Sequence, residues 1–464
     1  MPQLDSTAAE SSKINVATRL SAMASERPTQ IAIAMPLGRD TAGKRCYETV
    51  TFAELEADTN RIASGLIAAG ARPGMQLALL VRPSIDFIAL VFALLKSQVA
   101  MVLIDPGMGR KNALRCLAEG QTDGFVAIPP AHVFCVLMRH KFPKARLNVT
   151  VGRRWFWGGY TLDQIREQGA SESGSREIPD SGTSPESPAA IIFTTGSTGP
   201  PKGVLYSHGN FDQQVAQIQK AYDIQPGEID VPGFPLFGLF NAAMGVTTVI
   251  PDMDFTRPAK ADPRNIVEAV NDFQATQSFG SPALWNVVGK HCEQNTIRLP
   301  SLQRVLSAGA PVPIHVLKRM SAAMADGGKV HTPYGATEAL PVATISAQEV
   351  LGETAAKSIQ GSGTCVGAKF PGISWRIIKI SDGPISDIKE CEEVKQGEIG
   401  ELIVRGAVVT SRYVTRCKAN AMHKVADGES FWHRMGDVGY LDEQDRFWFC
   451  GRKAHRVETD RGVL

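Results

Sequence analysis

Short apolar runs alternate with longer amphipathic stretches along most of this chain. Residues 31–35 and 46–50 have the composition of strands, set around a Gly38-Arg39-Asp40 turn. Thr51-Phe52-Ala53-Glu54 then spells a capping box, and Leu55, Ile62, Leu66 and Ile67 share one helical face before Gly70. Residues 76–81 read as a strand. Residues 84–97 read as a helix apolar on nearly every side, which predicts full burial. Residues 100–104 form a strand stopped by Asp105-Pro106-Gly107. Further on, 189–193 reads as a buried strand, with helices over 210–221 and 266–273. Residues 278–282 and 305–311 each spell a strand end, a small-residue turn and a helix start. This alternation predicts an α/β fold, a large N-terminal domain of mostly parallel sheets flanked by helices. From about 365 to 451 the pattern shortens into strands and turns, so a β-rich subdomain is expected there. Residues 1–15 form a polar tail, and 171–188 a linker rich in Ser, Pro and Gly.

Length and composition narrow the class. At 464 residues, with 43% hydrophobic and 21% charged residues, the chain suits a globular protein larger than one ordinary domain. Forty-nine basic against 47 acidic residues leave a net charge of +2, which argues against general nucleic-acid binding. The eight cysteines are scattered, with no C-x-x-C pair. Neither a zinc site nor a disulfide framework is expected, and a reducing, cytoplasmic setting fits. The N-terminus lacks an apolar signal core, and the longest apolar run, 87–95, is too short to span a bilayer. Residues 139–154 are locally basic and read as a solvated face.

The strongest candidate chemistry follows the strand at 189–193. Thr194, Thr195, Gly196, Ser197, Thr198, Gly199, two prolines, Lys202 and Gly203 make a loop dense in glycines and hydroxyls with one lysine at its exit. Glycines let backbone N–H groups converge on an anion, hydroxyls donate, and the lysine adds charge, so the loop suits a polyphosphate better than a plain flexible turn. It is not a Walker A loop, because Gly203 stands where that loop needs Ser or Thr. Tyr334, Gly335, Thr337 and Glu338 bring a ring, a hydroxyl and a carboxylate into five residues, which is either a common turn or a site. Asp437, in Gly436-Asp437-Val438-Gly439, is by itself as well read as a turn aspartate. The apolar 233–240 segment is either a pocket wall or core.

In order and content these segments resemble the adenylate-forming superfamily of acyl-CoA synthetases, luciferases and peptide-synthetase adenylation domains, from about residue 20 to the end. The resemblance implies ATP and Mg2+ as cofactors. It implies that Tyr334, Gly335 and the turn carrying Gly309, Ala310 and Pro311 hold adenine, and that Asp437 and Arg452 hold ribose. Phosphates fall to Thr194–Lys202 and Thr337, and magnesium to Glu338. Residues 232–259 and 451–457 are similar to a narrower branch, which turns long-chain 2-alkyl-3-hydroxy fatty acids into β-lactones in bacterial olefin formation without coenzyme A. That branch activates the acid as acyl-AMP and works beside a condensing enzyme, a ketone reductase and a lactone decarboxylase. An acyl pocket is then expected at Phe234, Leu236, Phe240, Phe279, Gly280 and Ser281. A long-chain acyl-CoA ligase and a non-catalytic nucleotide- or acyl-binding protein are the rival expectations. The chain departs from the superfamily at its hinge, where His455 replaces Asp or Lys, and it stops at Leu464. The expected division is therefore a domain over 1–451, with hinge and lid start in 452–464 and the lid absent.

Overall fold

The computed structural model describes residues 14–172, 183–193, 200–234, 236–459 and 462–463. Most of the expected tail and linker lie outside these residues. Two sheets organise the fold. The smaller runs Tyr160–Thr161, Leu147–Thr150, Gly124–Ala127, Gln76–Leu80, Ala100–Leu103, Pro188–Phe193, Gly203–Ser207. All its neighbours are parallel except the last pair, which is antiparallel. The larger sheet has 14 strands.

Local signals act as their chemistry dictates. Thr51 caps the helix Phe52–Ala68 with a complete capping box. Ser84 caps Ile85–Lys96, and Phe87 to Leu95 are all buried. That helix shares one core with Leu77 and Met101 of the smaller sheet and Ile33 and Val404 of the larger. Lys96 ends it inside the protein, satisfied by Glu56 at 2.7 Å, Thr59 at 2.8 Å and Asn60 at 2.6 Å. Helices Phe52–Ala68 and Leu162–Glu172 touch backbone to backbone. A Cβ on Gly65 would lie 1.9 Å from the Ile165 carbonyl oxygen. The first hairpin turns two residues later than its glycine suggests, because Asp40 Oδ1 accepts from the amides of Ala42 and Lys44.

Two expectations about the fold fail. The larger sheet is mixed rather than mostly parallel. Its parallel part runs from Lys329–Ala336 through Arg304–Ser307, Gln277–Gly280, Ile229–Asp230 and Thr247–Val249 to Ile31–Arg39. Beyond Lys329–Ala336 every pairing is antiparallel: Ala339–Ser346, Thr364–Lys369, Arg446–Arg452, Ser430–Leu441, Gly400–Arg405 and Ser374–Ile378 follow in space. Tight turns join several of these strands, and tight turns can make only antiparallel neighbours. Nor is the chain without a lid-like part. Gly400–Arg405, Ala419–His423, Lys424–Asp427, Ser430–Leu441 and Arg446–Arg452 form a lid-like subdomain. The β-rich part expected over about 365–451 is this subdomain, and its strands extend the main sheet by hydrogen bonding.

One buried ion cluster holds this subdomain. Arg434 and Glu401, both fully buried, meet at 2.6 Å across paired strands, and Lys453 reaches the same carboxylate at 2.9 Å. Arg434 also donates to the Gly383 carbonyl at 2.7 Å. Removing one member of such a pair strands a buried charge, at a cost of about 3–5 kcal/mol. Arg434→Ala should therefore lose about that much in urea unfolding, and an unchanged midpoint would contradict the cluster's structural role.

Candidate active site

The glycine-rich loop leaves one strand and returns as its neighbour. Phe193 pairs with Gly203, so the loop's two ends stand side by side. Thr194, Thr195, Gly196, Ser197, Thr198 and Gly199 lie outside the described residues. The returning strand, Gly203–Ser207, would be a bare sheet edge but for residues 412–415. Gly203 N donates to Thr415 Oγ1 at 2.8 Å, Val414 N to the Gly203 carbonyl at 2.9 Å and Leu205 N to the Arg412 carbonyl at 3.1 Å. Val204 and Tyr413 bridge antiparallel.

This seam sets the surroundings of Lys202. Its Nζ lies 4.5 Å from the centre of the Tyr413 ring and 3.2 Å from His423 Nε2. His423 Nδ1 faces the Arg434 carbonyl at 3.3 Å. A carbonyl can only accept, so Nδ1 carries the proton and Nε2 accepts from Lys202. Burial, then the Lys202 charge, push the His423 pKa down to about 4. Burial also lowers Lys202, with the Glu338 charge opposing. Tyr413 donates its hydroxyl to Glu338 Oε1 at 2.7 Å. His423, Lys202, Tyr413 and Glu338 thus form one continuous polar chain. Lys424, next to His423, donates to the Thr410 carbonyl, and burial pushes its pKa down to about 7. Thr410 in turn donates its amide and hydroxyl to the Glu338 carbonyl.

Tyr334 and Gly335 lie on the strand Lys329–Ala336, and Thr337 and Glu338 make the tight turn into Ala339–Ser346. A Cβ on Gly335 would meet the Ala339 carbonyl oxygen at 2.6 Å, which explains the glycine. The Thr337 carbonyl accepts from the Tyr206 hydroxyl at 2.5 Å. Asp437 sits within the strand Ser430–Leu441, opposite Arg452, and is no turn residue. Its Oδ2 accepts from the Tyr334 hydroxyl. Arg452 Nη1 stands 3.0 Å from Oδ1 as an ion pair but is not aligned as a hydrogen bond, so Oδ1 is buried without a hydrogen-bond donor. Burial raises the Asp437 pKa against the pull of Arg452. The Tyr334 ring packs against Phe447, with centroids 5.9 Å apart.

Gly309, Ala310 and Pro311 form an exposed turn after Arg304–Ser307, and no atom lies within 4 Å of where a Gly309 Cβ would stand. Ser307 pairs with Gly280, so this turn and the expected acyl segment share the carboxyl ends of adjacent parallel strands. The acyl candidates divide. Phe234 is 46% exposed, with its ring 6.2 Å from Phe279, and Gly233 N donates to the Phe279 carbonyl at 2.6 Å. Leu236 is half-buried against the core. Phe240 is only 9% exposed and packs beside Phe211, so it belongs to the core. Gly280 admits Trp285, whose ring lies 3.0 Å from where a Cβ would be, and Ser281 caps the helix Pro282–Asn295.

Tyr413, His423 and Lys424 carried no sequence signal. His423 is 221 positions from Lys202, and only folding joins them. All eight cysteines are free thiols. Among the described residues no group of three His, Cys, Asp or Glu side chains could hold a metal, and no helix is long and apolar enough to cross a membrane.

Residues 22–414 match the family described as AMP-binding enzyme. The chain is 45% identical over 458 residues to the olefin beta-lactone synthetase of Stenotrophomonas maltophilia (strain K279a), covering 97% of this chain and 81% of that protein. It is 26% identical over 417 residues to a feruloyl-CoA synthase of an Amycolatopsis species, covering 89% and 75%. In fold it is similar to the crystal structure of a long-chain-fatty-acid-CoA ligase from Archaeoglobus fulgidus, with a TM-score of 0.77 at 22% identity, covering 95% and 84%. The matched family and its reach along the chain agree with the near-full-length relatives: the chain belongs to the AMP-binding enzyme family and is an ATP-dependent, AMP-forming ligase.

Proposed function

We propose that this ligase activates a long-chain 2-alkyl-3-hydroxy acid and closes it to a β-lactone. The observation that carries the reading is the near-full-length 45% identity to a protein named for that reaction, against 26% for a CoA synthase. A carboxylate resists acyl substitution because oxide is a poor leaving group. Its attack on the α-phosphorus of ATP forms a carboxyl–phosphorus bond and expels pyrophosphate. The 3-hydroxyl oxygen then attacks the acyl carbon, the bond to AMP breaks, and the hydroxyl proton is released. Ring strain opposes this closure, while expulsion of AMP and an internal hydroxyl held in line with that carbon favour it.

Residue roles follow the geometry. Lys202, held by His423 and the Tyr413 ring, offers its ammonium to phosphate oxygens, together with the loop donors Thr194–Gly199 and Thr337. Asp437 Oδ1, buried without a donor, suits a ribose hydroxyl, with Arg452 beside it. Tyr334 and Gly335 and the exposed Gly309–Pro311 turn are the residues assigned to the base. Glu338 keeps Oε2 clear of the Tyr413 hydroxyl, which bonds Oε1. One carboxylate beside substrate phosphates is a fitting magnesium site, because that ion retains several waters. When bound it would neutralise phosphate charge. Phe234 and Phe279 wall the acyl entrance. On this reading the chain works beside enzymes that condense, reduce and decarboxylate the same acyl skeleton.

Product analysis tests the reading. ATP and a 2-alkyl-3-hydroxy acid should give AMP, pyrophosphate and a β-lactone with no coenzyme A, and the acid lacking the 3-hydroxyl should stop at acyl-AMP. Rapid CoA-dependent conversion of that deoxy acid to a thioester would favour the acyl-CoA ligase instead.

A second outcome concerns the ribose. Hydrogen bonds to a charged group contribute about 1.5–3 kcal/mol, so Asp437→Ala should weaken AMP binding in calorimetry by that amount while the other strand contacts persist. Unchanged affinity would leave Asp437 as only the partner of Tyr334 and Arg452.

A further inference from the structure

No acidic residue stands between Asp123 and Asp163. Within that span Arg139, His140, Lys141, Lys144, Arg146 and Arg153 are exposed, and among the described residues none of them forms an ion pair. At the other end of the strand Leu147–Thr150 two large aromatic side chains face solvent, Trp155 at 54% and Phe156 at 73% exposure, directly after Arg153 and Arg154. They are held outward from beneath. Trp157 is buried, donates Nε1–H to Thr150 Oγ1 at 2.9 Å, and contacts Trp155 and Phe156 at centroid distances of 5.6 Å and 5.2 Å. His132 stacks on Trp157 at 5.4 Å. That stack ties the loop to the helix Pro129–Leu137, which ends in the 70%-exposed Leu137 and runs straight into the basic turn Arg139–Lys141.

We propose that this face is a docking surface for an anionic lipid bilayer. Exposed apolar groups rimmed by charge mark interaction sites. Tryptophan with flanking basic residues is the composition that settles at the headgroup layer, where rings enter the interface and cations meet lipid phosphates. The aromatic pair caps a supported loop and projects; it does not line a groove, which suits insertion into a fluid layer better than capture of a peptide. The face also lies at the far edge of the smaller sheet. Three strands lie between Leu147–Thr150 and Pro188–Phe193, and four between Tyr160–Thr161 and Pro188–Phe193. The choice of a bilayer over another polyanion rests on the long-chain acid reading, because such an acid partitions into membranes.

Cosedimentation of the whole protein with phosphatidylcholine vesicles, with and without phosphatidylglycerol, tests this without turnover, so its failure and that of the lactone reading are told apart. Binding should require the anionic lipid and fall with salt. Arg139→Glu with Arg153→Glu should reduce it by more than about tenfold. Trp155→Ala with Phe156→Ala should also weaken it, and both pairs should melt as the parent does and keep its rate on detergent-dispersed acid. No binding to anionic vesicles, or undiminished binding by either folded double variant, overturns the proposal. Retention on polyglutamate without vesicle binding overturns it in favour of an acidic protein.

Discussion

The pairing of residues 203–205 with 412–415 is the constraint on which the site depends. A strand returning from a glycine-rich loop would otherwise end the smaller sheet with unpaired amides and carbonyls. The segment around Tyr413 supplies the missing partners and closes that edge. In doing so it brings a tyrosine under Lys202 and its hydroxyl onto Glu338, two residues otherwise fixed by different sheets. Backbone pairing sets the position, and side-chain chemistry follows from it. The same pairing gives Lys202 a defined direction.

The lid-like subdomain does the same for the residues proposed to hold ribose. Arg434, Glu401 and Lys453 neutralise one another in the interior, and the strand bearing Arg434 also bears Asp437. The segment holding Lys453 starts at Arg452, which faces Asp437 across the strand pair. One buried ion cluster therefore fixes the register that places a carboxylate and a guanidinium beside Tyr334. A site assembled from two sheet margins in this way keeps polar groups half-buried, where their charges act through less water than at the surface.

Much of this was legible in order along the chain. Capping chemistry at Thr51 and Ser84, the all-apolar 87–95 run and the glycine-rich loop are local signals, and the local structure obeys them. What escaped is non-local. Antiparallel pairing of the last strands with the main sheet depends on register that no short window contains, so a mixed sheet and a lid-like part were missed. Asp437 taken alone fits a turn as well as a ribose contact because glycines flank it, yet it lies within a strand, and a Cβ on Gly439 would lie 2.0 Å from the Trp448 carbonyl oxygen. Whether the apolar segment around Phe240 is pocket wall or core is not written in its composition, and its packing against Phe211 appears only in the fold. His423 had nothing to mark it until Lys202 arrived beside it.

Tyr413 touches both Lys202 and Glu338 and so couples them. A double-mutant cycle on ATP–pyrophosphate exchange, with Lys202→Ala, Tyr413→Phe and their combination, measures that link most directly. Coupled residues typically show interaction energies of about 0.5–3 kcal/mol, and the account predicts a value of at least about 1 kcal/mol with melting points unchanged. Losses that simply add, to within about 0.5 kcal/mol, would contradict it.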